Sequence, residues 1–209
     1  MEALNNKYNT EFTNRLLANK HILDEIEVAC NHRLTNGSYL VINSYTYADS
    51  MYEKQELLYN STKKVTKALE IGVYIGHSLF IMLLSNPELK ITCIDIDDSF
   101  AVPAISVLNK HFNNAITFIH GNSLDVLPTI TDKFDFFHID GAHYQDVITQ
   151  EFHIVYKNLN SDPDKFTVIF DDQDCIPDLQ EYISNNLNVI ECIKPDCIYN
   201  NVYFQIKSF

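Results

Sequence analysis

The clearest indication of the fold is the segment Leu69-Glu70-Ile71-Gly72-Val73-Tyr74-Ile75-Gly76-His77-Ser78. An apolar run ends at Ile71, and a turn with two glycines leads into a helical pattern that begins near Gly76. Glycine lets the backbone pass close to a ligand, and the start of a helix favours a bound carboxylate. The spacing of the two glycines differs from the Gly-x-Gly-x-x-Gly turn that packs a dinucleotide pyrophosphate. The segment predicts a strand–turn–helix unit whose turn either holds a ligand or is a plain connection.

Apolar runs and helical patterns alternate along the chain from about Val65. This alternation predicts a doubly wound α/β fold, with helices on both faces of a mostly parallel sheet. The last two runs are separated by a short polar stretch, so they can pair only as a C-terminal antiparallel hairpin that completes a seven-stranded sheet. In chain order the runs are Thr66–Ile71, Ile91–Ile96, Ile116–His120, Phe134–Ile139, Phe166–Phe170, Val189–Ile193 and Val202–Ile206.

The residues before this core are expected to form a helical N-terminal extension and a lid. Residues 38–52 carry four tyrosines with little periodicity and lead into a helix predicted near residues 53–64. We therefore assign residues 1–50 to the extension and lid, and residues 51–209 to the core. The helical assignment of the first part rests on apolar side chains at near-helical spacing, namely Phe12, Leu16, Leu23, Ile26 and Cys30.

The composition is that of one globular domain in which acidic residues predominate. The 209 residues are 46% hydrophobic and 21% charged, and the formal net charge is -13. An acidic surface repels phosphate backbones, so we expect a small-molecule partner and no nucleic acid. The five cysteines include no Cys-x-x-Cys pair, which is typical of reduced thiols. With no signal-peptide pattern and no membrane-spanning run, we expect a cytoplasmic protein, and a homodimer is one option for its oligomeric state.

Polar residues that suit a nucleoside follow the second and third strands. Asp95 directly ends the second run, and an acid at that position can accept hydrogen bonds from both ribose hydroxyls. Asn122 and Ser123 follow the third run and can bind an adenine edge, although the same residue types are common in turns and helix caps. Asp98 is assigned to capping the next helix.

Three carboxylates follow the fourth and fifth strands, which are expected to be neighbours. Asp140 ends one run, and Asp171 and Asp172 end the other. Grouped carboxylates repel one another unless protons or a cation join them, and oxygen ligands in this number suit Mg²⁺ or a similar divalent cation. The alternative is that these acids cap helices or are solvated. His143 lies just past Asp140 and can act as a general base, whereas His138 is expected to pack in the core.

Five segments together resemble the class I methyltransferases that use S-adenosylmethionine (SAM) and have a Rossmann-like fold. More narrowly, they resemble the metal-dependent O-methyltransferases of catechols, caffeoyl-CoA and macrolide sugars. The segments are Leu69–Ser78, Ile94–Asp95, Gly121–Ser123, Phe137–His143 and Val168–Asp172. The similarity extends from about Lys54 to the C-terminus.

The resemblance implies specific roles for residues of this sequence. His143 and Asp140 would be catalytic, and the metal ligands would be Asp140, Asp171 and Asp172. The SAM site would consist of Glu70, Gly72, Gly76, Ser78, Asp95, Asn122, Ser123 and Asp140.

Two positions depart from the catechol and caffeoyl-CoA patterns. Asp172 stands where those enzymes usually have Asn, and His143 stands where the catechol type has Lys. Both residues agree with the sugar-modifying branch. The resemblance therefore favours a sugar-like hydroxyl over a catechol as the methyl acceptor.

The expected function is Mg²⁺-assisted methyl transfer from SAM to a small hydroxylated acceptor. Two alternatives stay open, a metal-independent small-molecule methyltransferase and a catalytically silent SAM-binding or scaffold protein. A nucleotide-dependent oxidoreductase on a similar fold would need a pyrophosphate-binding turn, and the spacing of Gly72 and Gly76 argues against one.

Overall fold

The computed structural model describes residues 10–31, 51–162, 164–196 and 201–207, and the backbone alone of residues 42–43 and 46–47. Its helices are α1 (Glu11–Ala18), α2 (Lys20–Ala29), α3 (Tyr52–Thr62), α4 (His77–Ser85), α5 (Asp98–His111), α6 (Ser123–Val126), α7 (Gln145–Ile154) and α8 (Pro177–Asn186). Its strands are β1 (Ile42–Asn43), β2 (Thr46–Tyr47), β3 (Lys67–Ile71), β4 (Lys90–Asp95), β5 (Ile116–His120), β6 (Phe136–Ile139), β7 (Lys165–Phe170), β8 (Val189–Ile193) and β9 (Val202–Lys207). Within the described ranges, no helix combines the length and the apolar character that crossing a membrane requires.

Seven strands form one sheet in the order β5-β4-β3-β6-β7-β9-β8. Strands β3 to β7 pair in parallel, and β9 pairs antiparallel with both β7 and β8. The predicted doubly wound sheet and its terminal hairpin are thereby confirmed. The chain moves outward from β3 to β5 and then returns to place β6 on the other side of β3. Sheets of this kind bind ligands at the carboxyl ends of the strands where the order reverses, which here lies beside β3.

Two apolar clusters cover the two faces of the sheet because successive side chains of a strand point to opposite faces. On β3, Ala68 joins the cluster that α1 to α5 complete, whereas Leu69 and Ile71 join the cluster that α7 and α8 complete. Phe136 and Phe137 of β6 divide between the same two clusters. Burial on both faces explains why these strands are almost continuously apolar in the sequence.

The described part of the N-terminal extension belongs to the first of these clusters. All five side chains of its predicted apolar stripe are buried there, and α1 contacts α4 while α2 contacts α5. Residues 10–31 are therefore a packing layer of the core. Of the predicted lid, the structure describes the backbone of the β1–β2 pair and, where the stretch joins α3, Met51 and Tyr52. The other lid residues lie outside the described part of the chain, and the lid stays a prediction.

Two local expectations need correction. Asp97, rather than Asp98, caps α5, because the Asp97 side chain accepts a hydrogen bond from Ser99 N–H at 2.9 Å. Asp98 is the first helical residue, where a negative charge interacts favourably with the helix dipole. The helix predicted near residues 53–64 begins one residue earlier, at Tyr52, and ends two residues earlier, at Thr62. Helix α7 is followed by a π-helical turn over Val155–Leu159.

Candidate active site

A cavity of about 1000 Å³ opens at the carboxyl ends of β3 to β7. Its wall contains the glycine turn after β3, Asp95 after β4, the Gly121–Ser123 loop after β5, the Asp140–His143 loop after β6, and the acids after β7. Ligand pockets typically enclose roughly 300–1000 Å³, so this cavity has room for a cofactor and a small second substrate. The strand-end residues identified from the sequence therefore share one site.

The glycine turn is shaped by contacts inside the protein. Gly72 has φ +88°, and a Cβ placed there would lie 2.0 Å from the backbone oxygen of Asp140. Gly72 N–H donates to Ile94 O at 2.9 Å, and Asp140 N–H donates to Ile71 O at 2.7 Å. Gly76 has φ +70° and is the N-cap of α4. Position 72 requires glycine because the turn packs against the β6 loop, and this packing brings Asp140 next to the turn.

The first residues of α4 form one wall of the cavity. His77 and Ser78 line it, and both are nearly fully buried. The first backbone amides of a helix have no partner within the helix, so together with the Ser78 hydroxyl they can bind a carboxylate. Every residue of α4 is buried, which fixes the position of this helix start.

Asp95 ties the glycine turn to the end of β4. Its Oδ2 accepts hydrogen bonds from Val73 N–H at 2.7 Å and Tyr74 N–H at 3.0 Å, and its Oδ1 accepts one from Asp97 N–H at 2.9 Å. A carboxylate has about four lone-pair sites, so Asp95 can accept from a ribose hydroxyl while it holds the turn. The predicted ribose acceptor thus also shapes the cavity.

The loop after β5 brings two predicted residues to the cavity and adds an unexpected one. Asn122 caps α6 by accepting from Leu124 N–H at 2.9 Å, and the Ser123 hydroxyl donates to Oε1 of Glu151 on α7. Glu151 lines the cavity, and its Oε2 has no hydrogen-bond partner among the described residues. Burial raises the pKa of Glu151, which the bond from Ser123 partly offsets.

Glu70 lies beneath the cavity rather than in its wall. It faces His138 across the β3–β6 pair, and Glu70 Oε1 lies 2.7 Å from His138 Nδ1. Both side chains are 0% exposed, which confirms the expected core position of His138. This placement gives Glu70 a buried histidine partner and does not support direct contact with a cofactor.

Asp140 and Asp171 cluster with His138 and with a lysine from α3. One ligating atom from each of His138, Asp140 and Asp171 lies within 4.8 Å of those of the other two residues. Lys54 Nζ lies 2.8 Å from Oδ1 and 2.9 Å from Oδ2 of Asp171. Burial raises the pKa of Asp140 well above its usual range, and the charge of Asp171 raises it further, whereas Lys54 opposes both effects.

Asp172 has a different partner from its neighbour Asp171. It adopts φ +51°, an uncommon left-handed conformation that Asp tolerates, and its Oδ2 lies 2.5 Å from His143 Nδ1. Burial is the main cause that raises the pKa of Asp172, the charge of Asp171 adds to it, and His143 opposes it. An Nδ1–H that donates to this carboxylate leaves Nε2 of His143 as a proton acceptor. The His143 side chain is 67% exposed, so a substrate can reach it.

The described residues do not fit a divalent cation in the arrangement that the resemblance implies. Mg²⁺ requires oxygen ligands in near-octahedral geometry. Both oxygens of Asp171 instead bind Lys54, and Asp172 binds His143. A cation ligated by Asp171 would lie close to the ammonium group of Lys54, and the two positive charges would repel each other.

Sequence reasoning missed Lys54 and Glu151 as site residues. Each lies on the buried face of a helix, Lys54 with Leu58 on α3 and Glu151 with Ile148 on α7. A charged residue on a helix face that carries large apolar side chains is rarely buried without a partner, so this pattern was the available signal. The sequence does not indicate which residue is the partner, since Asp171, for example, lies 117 residues from Lys54.

Comparison with known proteins identifies similar folds. Residues 69–173 match the model of a family described as a methyltransferase domain. The O-methyltransferase TomG from Streptomyces achromogenes, which is involved in tomaymycin synthesis and was solved in complex with SAM, has 19% identity, covers 100% of both chains and gives a TM-score of 0.65. An O-methyltransferase from Bacillus cereus in complex with SAH has 16% identity, covers 90% of each chain and gives a TM-score of 0.61. The SAH-bound methyltransferase PaMTH1 from Podospora anserina has 13% identity, covers 100% of both chains and gives a TM-score of 0.62.

Proposed function

Since the chain belongs to the methyltransferase domain family, we propose that it transfers the methyl group of SAM to an oxygen of a small hydroxylated acceptor. The observation that carries this proposal is the composition of the shared cavity. A glycine turn and an acid suited to the cofactor lie in the same wall as the hydrogen-bonded pair of His143 and Asp172. Cofactor binding and proton acceptance can therefore occur within one site.

The charge of the cavity wall suits SAM. This cofactor has a sulfonium and an ammonium group against one carboxylate, so it is a net cation. Lys54 is the single lysine or arginine among the described lining residues. The acidic lining residues are Asp95, Asp97, Asp140, Glu151, Asp171 and Asp172. The negative charge of the wall attracts the positively charged cofactor. S-adenosylhomocysteine (SAH) lacks the sulfonium charge, so this electrostatic attraction is weaker for SAH than for SAM.

We assign the parts of the cofactor to three portions of the wall. The turn from Gly72 to Gly76 and the hydroxyl of Ser78 hold the amino-acid end, and Asp95 accepts from the ribose. Asn122 and Ser123 flank the adenine. Asp140 lies where the cofactor and the acceptor meet, because its loop packs directly against the glycine turn.

Calorimetry is expected to give micromolar binding of SAH, about -8 kcal/mol. Asp95→Ala should weaken this binding by about 10–100-fold, because it removes a charged hydrogen-bond acceptor and leaves three turn amides without their partner. Asp98→Ala is the matched control, since Asp98 is the first residue of α5, close to Asp95 in the sequence but outside the cavity wall. This variant should bind SAH like the wild type. Binding of NADH in place of SAH would contradict the cofactor assignment.

The chain's own residues supply positioning and a proton acceptor. When bound, SAM supplies a methyl group on a sulfonium, so the acceptor oxygen can take this group while the carbon–sulfur electron pair passes to sulfur. His143 Nε2 accepts the proton of the acceptor hydroxyl. Asp172 fixes the ring through Nδ1–H and stabilises the positive charge that the imidazole acquires. The cavity wall holds the two reactants in line, which is the larger part of such catalysis.

The finer assignments concern the acceptor and the metal. The departures at His143 and Asp172 support a sugar-like hydroxyl. The resemblance implies that Mg²⁺ lowers the pKa of this hydroxyl from a site at Asp140, Asp171 and Asp172. The contact between Lys54 and Asp171 favours the metal-independent alternative, because it occupies both oxygens of one expected ligand.

Methyl transfer is tested with SAM that carries a labelled methyl group and with a panel of sugars, catechols and amines. We expect label on a hydroxyl oxygen of a sugar-like acceptor, with the Asp95→Ala variant as the impaired control. SAH binding without turnover on any acceptor would indicate a silent SAM-binding protein. Label on an amine nitrogen would contradict an oxygen acceptor.

A further inference from the structure

The ion pair between Lys54 and Asp171 places a positive charge inside the acidic part of the cavity. Nζ lies 2.8 Å from one Asp171 oxygen and 2.9 Å from the other, so the ammonium group binds both oxygens of the carboxylate, as a chelated cation would. The two side chains are 3% and 8% exposed. An ion pair this deeply buried is screened little by water or salt, and loss of one partner leaves an uncompensated charge.

The position of Lys54 is set by the packing of α3. Leu58 and Tyr59, on the buried side of the same helix, are fully buried, and α3 packs along α4, whose start forms a wall of the cavity. The amide of Asn201, which precedes β9, donates to the backbone oxygen of Lys54 at 3.5 Å. The backbone at Lys54 is therefore held by the helical layer and by Asn201, and its ammonium group is held by Asp171 at the end of the sheet.

The surroundings of this pair favour a positive charge. Asp140 contributes a carboxylate within the same cluster, and Asp172 follows Asp171 directly. Carboxylates that share a desolvated site cannot all ionise unless a proton or a cation compensates them. Lys54 is the lysine or arginine that the described cavity wall provides for this purpose.

We propose that the Lys54 ammonium group takes the place of a divalent cation at the Asp140–Asp171 cluster, and that its removal turns this cluster into a divalent-cation site. Lys54 is a positioning residue, since it acts through Asp171. The inference deepens the proposed function, because it means that methyl transfer needs no metal. Its first test is a binding measurement that does not depend on methyl transfer.

Binding is measured with Mn²⁺, whose free ion gives an electron paramagnetic resonance signal and which prefers the same oxygen ligands as Mg²⁺. The wild type and Lys63→Ala should show no stoichiometric binding at this site. Lys63 is the matched control because it follows α3 directly but pairs with Glu11, outside the cavity. Lys54→Ala should bind about one Mn²⁺ per chain, at least tenfold more tightly than the wild type. Lys54→Ala/Asp171→Asn should lose this binding.

Two results would overturn the proposal. One is stoichiometric Mn²⁺ binding by the wild type that Asp171→Asn abolishes, since the ion and Lys54 would then share the carboxylate. The other is a folded Lys54 variant that binds Mn²⁺ no better than the wild type. Lys54→Met is prepared in parallel because it retains most of the alkyl packing, so the measurement can proceed if Lys54→Ala does not fold.

The activity measurement separates this inference from the proposed function. Wild-type methyl transfer should be unchanged in excess EDTA, whereas full loss in EDTA with recovery on adding Mg²⁺ would overturn the role of Lys54 and leave the proposed function standing. If no acceptor is methylated, the proposed function fails, and the Mn²⁺ measurement still decides whether Lys54 replaces a cation.

Discussion

His143→Ala is expected to lower kcat by about 10²–10⁴-fold, the usual contribution of a general base. His143 Nδ1 lies 2.5 Å from Asp172 Oδ2, so the ring is oriented and Nε2 is left to accept the proton of the acceptor hydroxyl. Alanine removes the proton acceptor and retains the glycine turn and Asp95. SAH binding, measured by calorimetry, should therefore stay close to the wild-type value.

Three variants distinguish proton acceptance from shaping of the cavity. His21→Ala removes an exposed histidine on α2 and should leave kcat unchanged. Asp172→Asn keeps the side-chain shape in a left-handed conformation that Asn also tolerates, so a drop in kcat would report the lost charge. If His143→Gln retains most of the activity, His143 is not the base, and Asp140 becomes the next candidate.

Gly72→Ala is expected to destabilise the whole domain. The new methyl group would lie 2.0 Å from the Asp140 backbone oxygen and 2.8 Å from Gly141 Cα, and φ is +88°. Backbone strain of about 1–3 kcal/mol and overpacking of about 1–3 kcal/mol add to a loss of roughly 2–6 kcal/mol in the free energy of unfolding. For a domain of this size, the Tm measured by calorimetry or circular dichroism should fall by roughly 5–20 °C.

Gly76→Ala is the matched control for the steric part of this effect. Gly76 also has a positive φ, +70°, but its nearest neighbours are side-chain carbons of Ala104 and Leu108 at 3.3 Å. We expect a clearly smaller fall in Tm, because side chains can shift by a few tenths of an ångström and a backbone carbonyl cannot. Equal Tm values for the two variants would mean that the contact between the turn and the β6 loop is not a rigid constraint.

The fold was largely predictable because it follows from local periodicity and connection length. The strands predicted at Ile116–His120 and Val189–Ile193 match β5 and β8 at both ends, and the other core strands differ by one or two residues. The hairpin of β8 and β9 was predictable because its connection is too short for any other pairing. The order β5-β4-β3-β6-β7-β9-β8 was not predicted, because the fixed hand of the crossovers does not determine on which side of β3 the strand β6 lies.

Most of the residues that line the cavity were also predictable, since the carboxyl ends of parallel strands meet at one edge of a sheet. Asp95, Ser123, Asp140, His143 and Asp171 all line the cavity for this reason. Glu70 and Gly76 are the two predicted site residues that do not line the cavity. Glu70 faces His138 in the core because side chains alternate along a strand, and Gly76 is the N-cap of α4.

Local sequence patterns establish the succession of strands and helices along the chain and the edge of the sheet at which polar residues gather. Which of these residues bind each other depends on packing in three dimensions. Asp171 and Asp172 are adjacent in the chain, yet the first binds Lys54 and the second binds His143. Strand and helix patterns arise from interactions between near neighbours in the chain, whereas the charge balance of a cavity depends on groups that packing brings together. The lysine that compensates Asp171 lies 117 residues away in the sequence, and no pattern among near neighbours in the chain indicates this pairing.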